Sequence, residues 1–389
     1  MPGLLVSVLV ILLMQQAAAP AVKSPLLVLL GGQTTIWQNA CHERGWQFLE
    51  PWSPLKAGSF DERVKALADK VREAETRLPV DPNRVYLAAQ GDSVPALFYV
   101  AARIPDLWAA AVAAGGSPRA AIDSDRLFAA NTTNLPVLWV FSEKDEAALG
   151  KKLESAGFNL DSQERPEVKP SEIFDWLADH ERDPFPTTAD YETGDRLFNH
   201  SYWVEITRFD PAEKNDVLGS TRVTPLGSGA ILAAGPFAYN SADPGPGVLV
   251  TALPHNYTGP LKVNDRIVEM SGKALKNAAE FAQILYRTFD ERPVVIMVQR
   301  GKERVRIETR IVVAPRPEQV TARVRAHFLP ELHRIEVVSR EVTQMKLTLP
   351  DFWLPATINW NGTDLAQAKT AGCWLLDEKK ELLTASRCP

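Results

Sequence analysis

The chain has 389 residues, 45% of them hydrophobic, and its 43 Lys and Arg against 48 Asp and Glu leave a formal net charge of -5. At roughly 100 to 200 residues per domain, this length predicts two or three domains, each with enough apolar material for a core. A mildly acidic chain with no long run of Lys or Arg excludes nucleic acid and anionic membrane as the main partner, and leaves small molecules or proteins.

Residues 4–14 are an apolar run, followed by Gln15, Gln16 and the small-residue stretch 17–21. The run is shorter than the ~20 residues a bilayer crossing needs and fits a signal-peptide core of about 7 to 15. It predicts a signal peptide over 1–21, a secreted or periplasmic protein, and no membrane span after cleavage. The competing reading is a buried first strand or an uncleaved anchor, because no Lys or Arg precedes the run. None of the three cysteines, Cys41, Cys373 and Cys388, sits in a Cys-x-x-Cys pair, so neither a metal nor a cofactor is indicated. In an oxidising compartment Cys373 and Cys388 close a disulfide and leave Cys41 alone; otherwise all three are free thiols.

From 26 to about 178, short apolar runs at 26–30, 47–49, 85–89, 110–114 and 137–141 alternate with helical patterns. This is the pattern of a parallel sheet covered by helices, and it predicts an α/β domain over 22–190. Val64, Leu67, Val71 and Leu78 recur at helical spacing, with Ser59 and Glu62 set as a capping box ahead of them. The Pro-, Thr- and Asp-rich stretch 183–191 marks a boundary, followed by a linker and β segment over 191–225. A mostly β unit with one helix from about 277 to 289 fills 226–315, and a β-rich segment fills 316–389. Within that last segment Asn361-Gly362 is a two-residue hairpin signal. The fold class expected is multidomain, a parallel α/β sheet plus β-rich parts.

The strand 84–90 runs into Gly91-Asp92-Ser93 and then a helix that ends at Ile104-Pro105-Asp106. This segment resembles the nucleophile elbow of secreted bacterial α/β-hydrolases of the dienelactone-hydrolase, feruloyl-esterase and depolymerase kind. There a Gly-x-Ser-x-Gly turn lifts a serine above the sheet. Counting seven residues on from Arg84, or fourteen back from Pro105, places the serine position on Gly91, with Ala89 and Ser93 at the two glycine positions. Glycine has no atom that can be acylated, so the resemblance implies a degenerate site, with Ser93 as the fallback nucleophile. It also places the triad acid on Asp145 and the histidine position near Pro166, where no histidine stands. Gly31-Gly32 after the first strand resembles the loop that donates an oxyanion-hole N–H.

Farther on, the stretch 261–273, Leu-Lys-Val-Asn-Asp-Arg-Ile-Val-Glu-Met-Ser-Gly-Lys, resembles a PDZ domain, with Asn264 in place of the usual glycine and Ser271 in place of the usual asparagine. Such domains bind an extended peptide terminus by strand addition. The resemblance implies a carboxylate loop at Gly229, Ala230, Ile231 and Leu232, and a groove helix presenting Ala278, Phe281, Ala282 and Leu285. The sequence therefore predicts an exported, non-catalytic interaction protein that holds a protein or peptide C-terminus, with room for a small ligand in the hydrolase cleft. The alternatives are a serine hydrolase with a non-standard site at Ser93, and a purely structural module.

Overall fold

The computed structural model describes residues 23–51, 59–142, 146–165, 169–211, 217–227, 229–288, 290–313, 320–379 and 382–389. Six strands, β1 (Ser24–Leu29), β2 (Gln47–Leu49), β3 (Val80–Gln90), β4 (Ala110–Ala114), β5 (Val137–Phe141) and β6 (Leu160–Glu164), form one parallel sheet in the order β2-β1-β3-β4-β5-β6. Side chains alternate across a strand. Leu26, Val28, Val85 and Leu87 therefore enter one core, while Leu27, Leu29, Tyr86 and Ala88 enter the other. Helices α2 (Phe60–Arg77), α3 (Val94–Arg103) and α5 (Ala147–Ser155) cover the first face; α1 (Thr34–Glu43) and α6 (Pro170–Ala178) cover the second. The capping box at the start of α2 is formed: the Glu62 amide donates to Ser59 Oγ at 3.2 Å, and the Ser59 amide donates to Glu62 Oε2 at 2.7 Å. No sequence reading found β6, whose residues Leu-Asp-Ser-Gln-Glu are half-buried or exposed at the sheet edge and carry no apolar alternation.

Beyond the sheet, β7 (Thr188–Thr193) and β9 (Val204–Phe209) pair with strands more than a hundred residues away, and β8 (His200–Ser201) pairs with β9. Those partners belong to the run β16 (Ala322–Leu329), β17 (Arg334–Arg340), β18 (Val342–Leu349), β19 (Ala356–Trp360), β20 (Thr363–Ala368), β21 (Gly372–Lys379) and β22 (Leu382–Arg387). Two five-stranded sheets result, β20-β19-β17-β16-β7 and β22-β21-β18-β9-β8, which share one core around Tyr191, Trp203, Met345 and Trp360. The linker segment and the C-terminal segment read separately from the sequence are thus parts of one β unit. Asn361 and Gly362 take φ of 47° and 87°, the left-handed pair required by the hairpin joining β19 to β20.

Between the halves of that unit lies an insert of β10 (Ala230–Leu232), β11 (Val248–Leu249), β12 (Arg266–Met270), β13 (Lys273–Ala274), β14 (Arg292–Arg300) and β15 (Glu303–Val313), with helix α7 (Ala278–Tyr286). Its sheet runs β10-β15-β14-β12-β11 and packs on Phe281 and Ala278. Asn264 and Ser271 sit at positive φ, 72° and 52°, as their turn positions demand. Cys373 and Cys388 are disulfide-bonded, with Cα atoms 5.4 Å apart. Cys41 is free and buried, and burial pushes its thiol up to about 12. Native, unreduced chain is therefore expected to take up no iodoacetamide at pH 8 and the unfolded, unreduced chain one equivalent; labelling of native chain would contradict this burial.

Candidate active site at the carboxyl edge of the parallel sheet

Strand β3 ends at Gln90 and the chain turns sharply through a single 3-10 turn, Gly91–Ser93, into α3. Gly91 bends at φ 61°, and a side chain placed there would meet no atom of the described residues within 4 Å. The bend is close to the next loop: a Cβ on Gly116, just after β4, would run into the Gly91 carbonyl. The sequence rulers therefore land where the fold turns, and the open ends of the strands are where α/β sheets hold ligands.

Gly31 and Gly32 lie across from this bend. The Gly31 carbonyl accepts from the Gln90 amide at 2.9 Å, and Gln90 Oε1 accepts from the Gln33 amide at 3.0 Å and Trp37 Nε1 at 3.2 Å. Gln90 is thus the strut that fixes the loop against the elbow, a role the sequence reading missed because a polar strand end carries no motif. Among the described residues neither the Gly31 nor the Gly32 amide has an acceptor. Ser93 Oγ packs directly on Gly31, at the position a Cβ would need. Among the described residues no His or Lys nitrogen is bonded to Ser93. A buried carboxylate stands on the same edge: Glu146, preceding α5, accepts from Ser117 Oγ at 2.9 Å. Ser117 follows Gly116, the residue against the bend.

Asp145 and Pro166 lie outside the described residues. Two histidines of the described part, His180 and His200, serve other ends. His180 Nδ1 lies 2.8 Å from the Trp176 carbonyl, its ring 4.2 Å from the Trp176 ring, and His200 Nδ1 pairs with Asp106 at 3.0 Å. Among the described residues there is no group of three or more His, Cys, Asp or Glu that could hold a metal ion, and no helix is long and apolar enough to cross a membrane.

In the insert, Gly229, Ala230, Ile231, Leu232, Phe281, Ala282 and Leu285 converge on a cavity of about 400 Å³ between β10 and α7. Ala278 does not join them; it is fully buried in the insert's core. The cavity's Tyr286 accepts from Arg119 Nη1 at 3.0 Å, so the insert touches α4 (Arg119–Asp123), two residues from Ser117.

The chain matches no family model and no curated protein. Among solved structures it is similar to a thermostable esterase (15% identity, 43% of this chain and 57% of that one, TM-score 0.32). It is also similar to esterase Est22 (13%, 40% and 68%, TM-score 0.29) and to an esterase from Rhizomucor miehei (12%, 42% and 75%, TM-score 0.31). The chain thus spans little more than half of that thermostable esterase's length. The architecture is a parallel α/β unit with a β-rich part. The expectation of a non-catalytic, peptide-binding interaction protein is corrected here, since the similar structures are esterases.

Proposed function

We propose that this chain is an ester hydrolase of non-standard mechanism, with its reaction centre at the Gly91–Ser93 bend and Ser93 as nucleophile. One observation carries the reading: the Ser93 hydroxyl rests on the Gly31 loop beside the Gly91 bend, so a nucleophilic oxygen and backbone donors without an acceptor among the described residues converge where the sheet opens. Ser93 Oγ attacks the carbonyl carbon, and the Gly31 and Gly32 amides receive the developing oxyanion. The serine proton passes to the Ser117–Glu146 pair, which returns it to the departing alkoxide; water then releases the acyl group from Ser93. A cavity of about 310 Å³ along α3, lined by Phe60, Pro95, Ala96, Tyr99, Ala120 and Ala121 together with Ser124 and Arg126, offers apolar surface to an acyl chain.

Two further features belong to the same reading. The insert is a PDZ-like module whose groove would take an extended peptide terminus as a partner beside the hydrolytic site. The chain is exported, which the disulfide and the apolar run near the N-terminus support. The test uses p-nitrophenyl acetate and butyrate together with a fluorophosphonate label. Slow turnover and labelling are expected in the native chain, both lost in Ser93→Ala, and turnover is expected to fall about 100-fold or more in Glu146→Gln. Rates and labelling unchanged in Ser93→Ala would remove Ser93 from the mechanism.

A further inference from the structure

Arg103, the last residue of α3, is only 2% exposed, and its guanidinium has no carboxylate partner among the described residues. One donor is accounted for, Nη2 to the Tyr99 hydroxyl at 3.2 Å, while Nε is buried without any acceptor. The cation is held among the rings of Tyr99, Phe128 and Phe198, at 4.8, 5.7 and 5.8 Å from their centroids. Rings stabilise such a charge but accept few of its five N–H groups. A buried guanidinium left this way is destabilising unless something brings acceptors to it.

A cavity of about 230 Å³ opens beside it, lined by Arg103, Arg126, Phe128, Gly194, Asp195 and Val320, where the α/β unit meets the β unit. The neighbouring carboxylates do not serve Arg103. Asp61 takes the Tyr99 hydroxyl at 2.7 Å and Arg126 Nη1 at 2.9 Å. Asp195 takes the Leu197 amide at 2.9 Å and stands 3.7 Å from Arg126 Nη2, beyond hydrogen-bond length. Two guanidiniums thus face one small space, and both carboxylates spend their charge on Arg126.

We infer that this cavity is a binding site for a compact oxyanion, a carboxylate or phosphate group held by the Arg103 and Arg126 forks. The site shares Arg126 with the neighbouring cavity along α3, and an occupant would bridge the two units. Its chemistry matches a small free anion or the acidic group of a larger metabolite; the cavity admits the group itself.

The experiment titrates the full chain with sodium phosphate and, separately, sodium acetate, at constant ionic strength against sodium chloride, by calorimetry and by melting temperature. Saturable one-to-one binding of at least one probe is expected, together with a rise in melting temperature that chloride does not produce. Arg126→Gln, at the half-exposed rim, should weaken it at least tenfold, and Arg103→Met should abolish it. Arg103→Met should also melt no lower than the native chain without probe, because an unpaired buried charge has been replaced by apolar volume. If Arg103→Met fails to fold, Arg126→Gln alone decides. Neither probe binding above chloride, or binding unchanged in Arg126→Gln, overturns the inference and leaves a guanidinium held by rings and water.

Discussion

Glu192→Ala is expected to destabilise the β unit by roughly 3 to 5 kcal/mol, the cost of stranding a buried charge. Glu192 is fully buried in β7. Its two oxygens accept from Ser220 Oγ (2.5 Å), the Thr221 amide (2.7 Å) and hydroxyl (2.9 Å), Thr321 Oγ1 (2.6 Å) and Arg340 Nη2 (3.2 Å). One carboxylate therefore ties β7, the segment leaving β9, the approach to β16 and β17. Alanine removes this acceptor from all of them at once and leaves Arg340, whose Nε lacks a partner among the described residues, with Thr321 as its remaining acceptor there. Denaturant unfolding followed through tryptophan fluorescence reads this, since Trp203 and Trp360 lie in that core. Glu73→Ala is the control: its pairing with Arg77 joins two side chains more than half exposed, so about 0.5 kcal/mol or less is at stake. Equal losses in the two variants would mean that Glu192 does not organise the junction.

Gly116→Ala is the second large effect. Both Gly91 and Gly116 lie in left-handed backbone, at φ 61° and 62°, so alanine at either costs a similar ~1 to 2 kcal/mol for conformation. They differ in what the new methyl meets. At Gly91 no atom of the described residues lies within 4 Å, and at Gly116 there is the Gly91 carbonyl, backbone that cannot rotate away. A further ~1 to 3 kcal/mol of overpacking is expected only at Gly116, and ester turnover should fall with it because the bend itself must move. Gly91→Ala should melt within a few degrees of the native chain. The reverse order of the two melting temperatures would show that the two loops do not approach as described.

How much of this was legible beforehand follows the range of each signal. Five strands of the parallel sheet, the Ser59 cap, the Asn361-Gly362 turn and the location of the bend at Gly91 are written within a few consecutive residues. Periodicity, capping geometry and tolerance of positive φ are local properties. Edge strand β6, polar on both faces, carried no such pattern. The functional inference was the weakest step: a missing serine at one position was read as a missing activity, while the neighbouring Ser93, the strut at Gln90 and the Ser117–Glu146 pair could be judged only once the loops were brought together.

By itself, then, the sequence determined the alternation of strands and helices, the turn residues, and the Cys373–Cys388 pair as one of two outcomes. Tertiary structure alone decided that β7 and β9 belong with strands beyond residue 320, that Arg103 is buried without a carboxylate, and that Ser93 faces Gly31. Such contacts join segments up to more than a hundred residues apart, through many individually weak interactions whose sum exists only when the whole chain is packed.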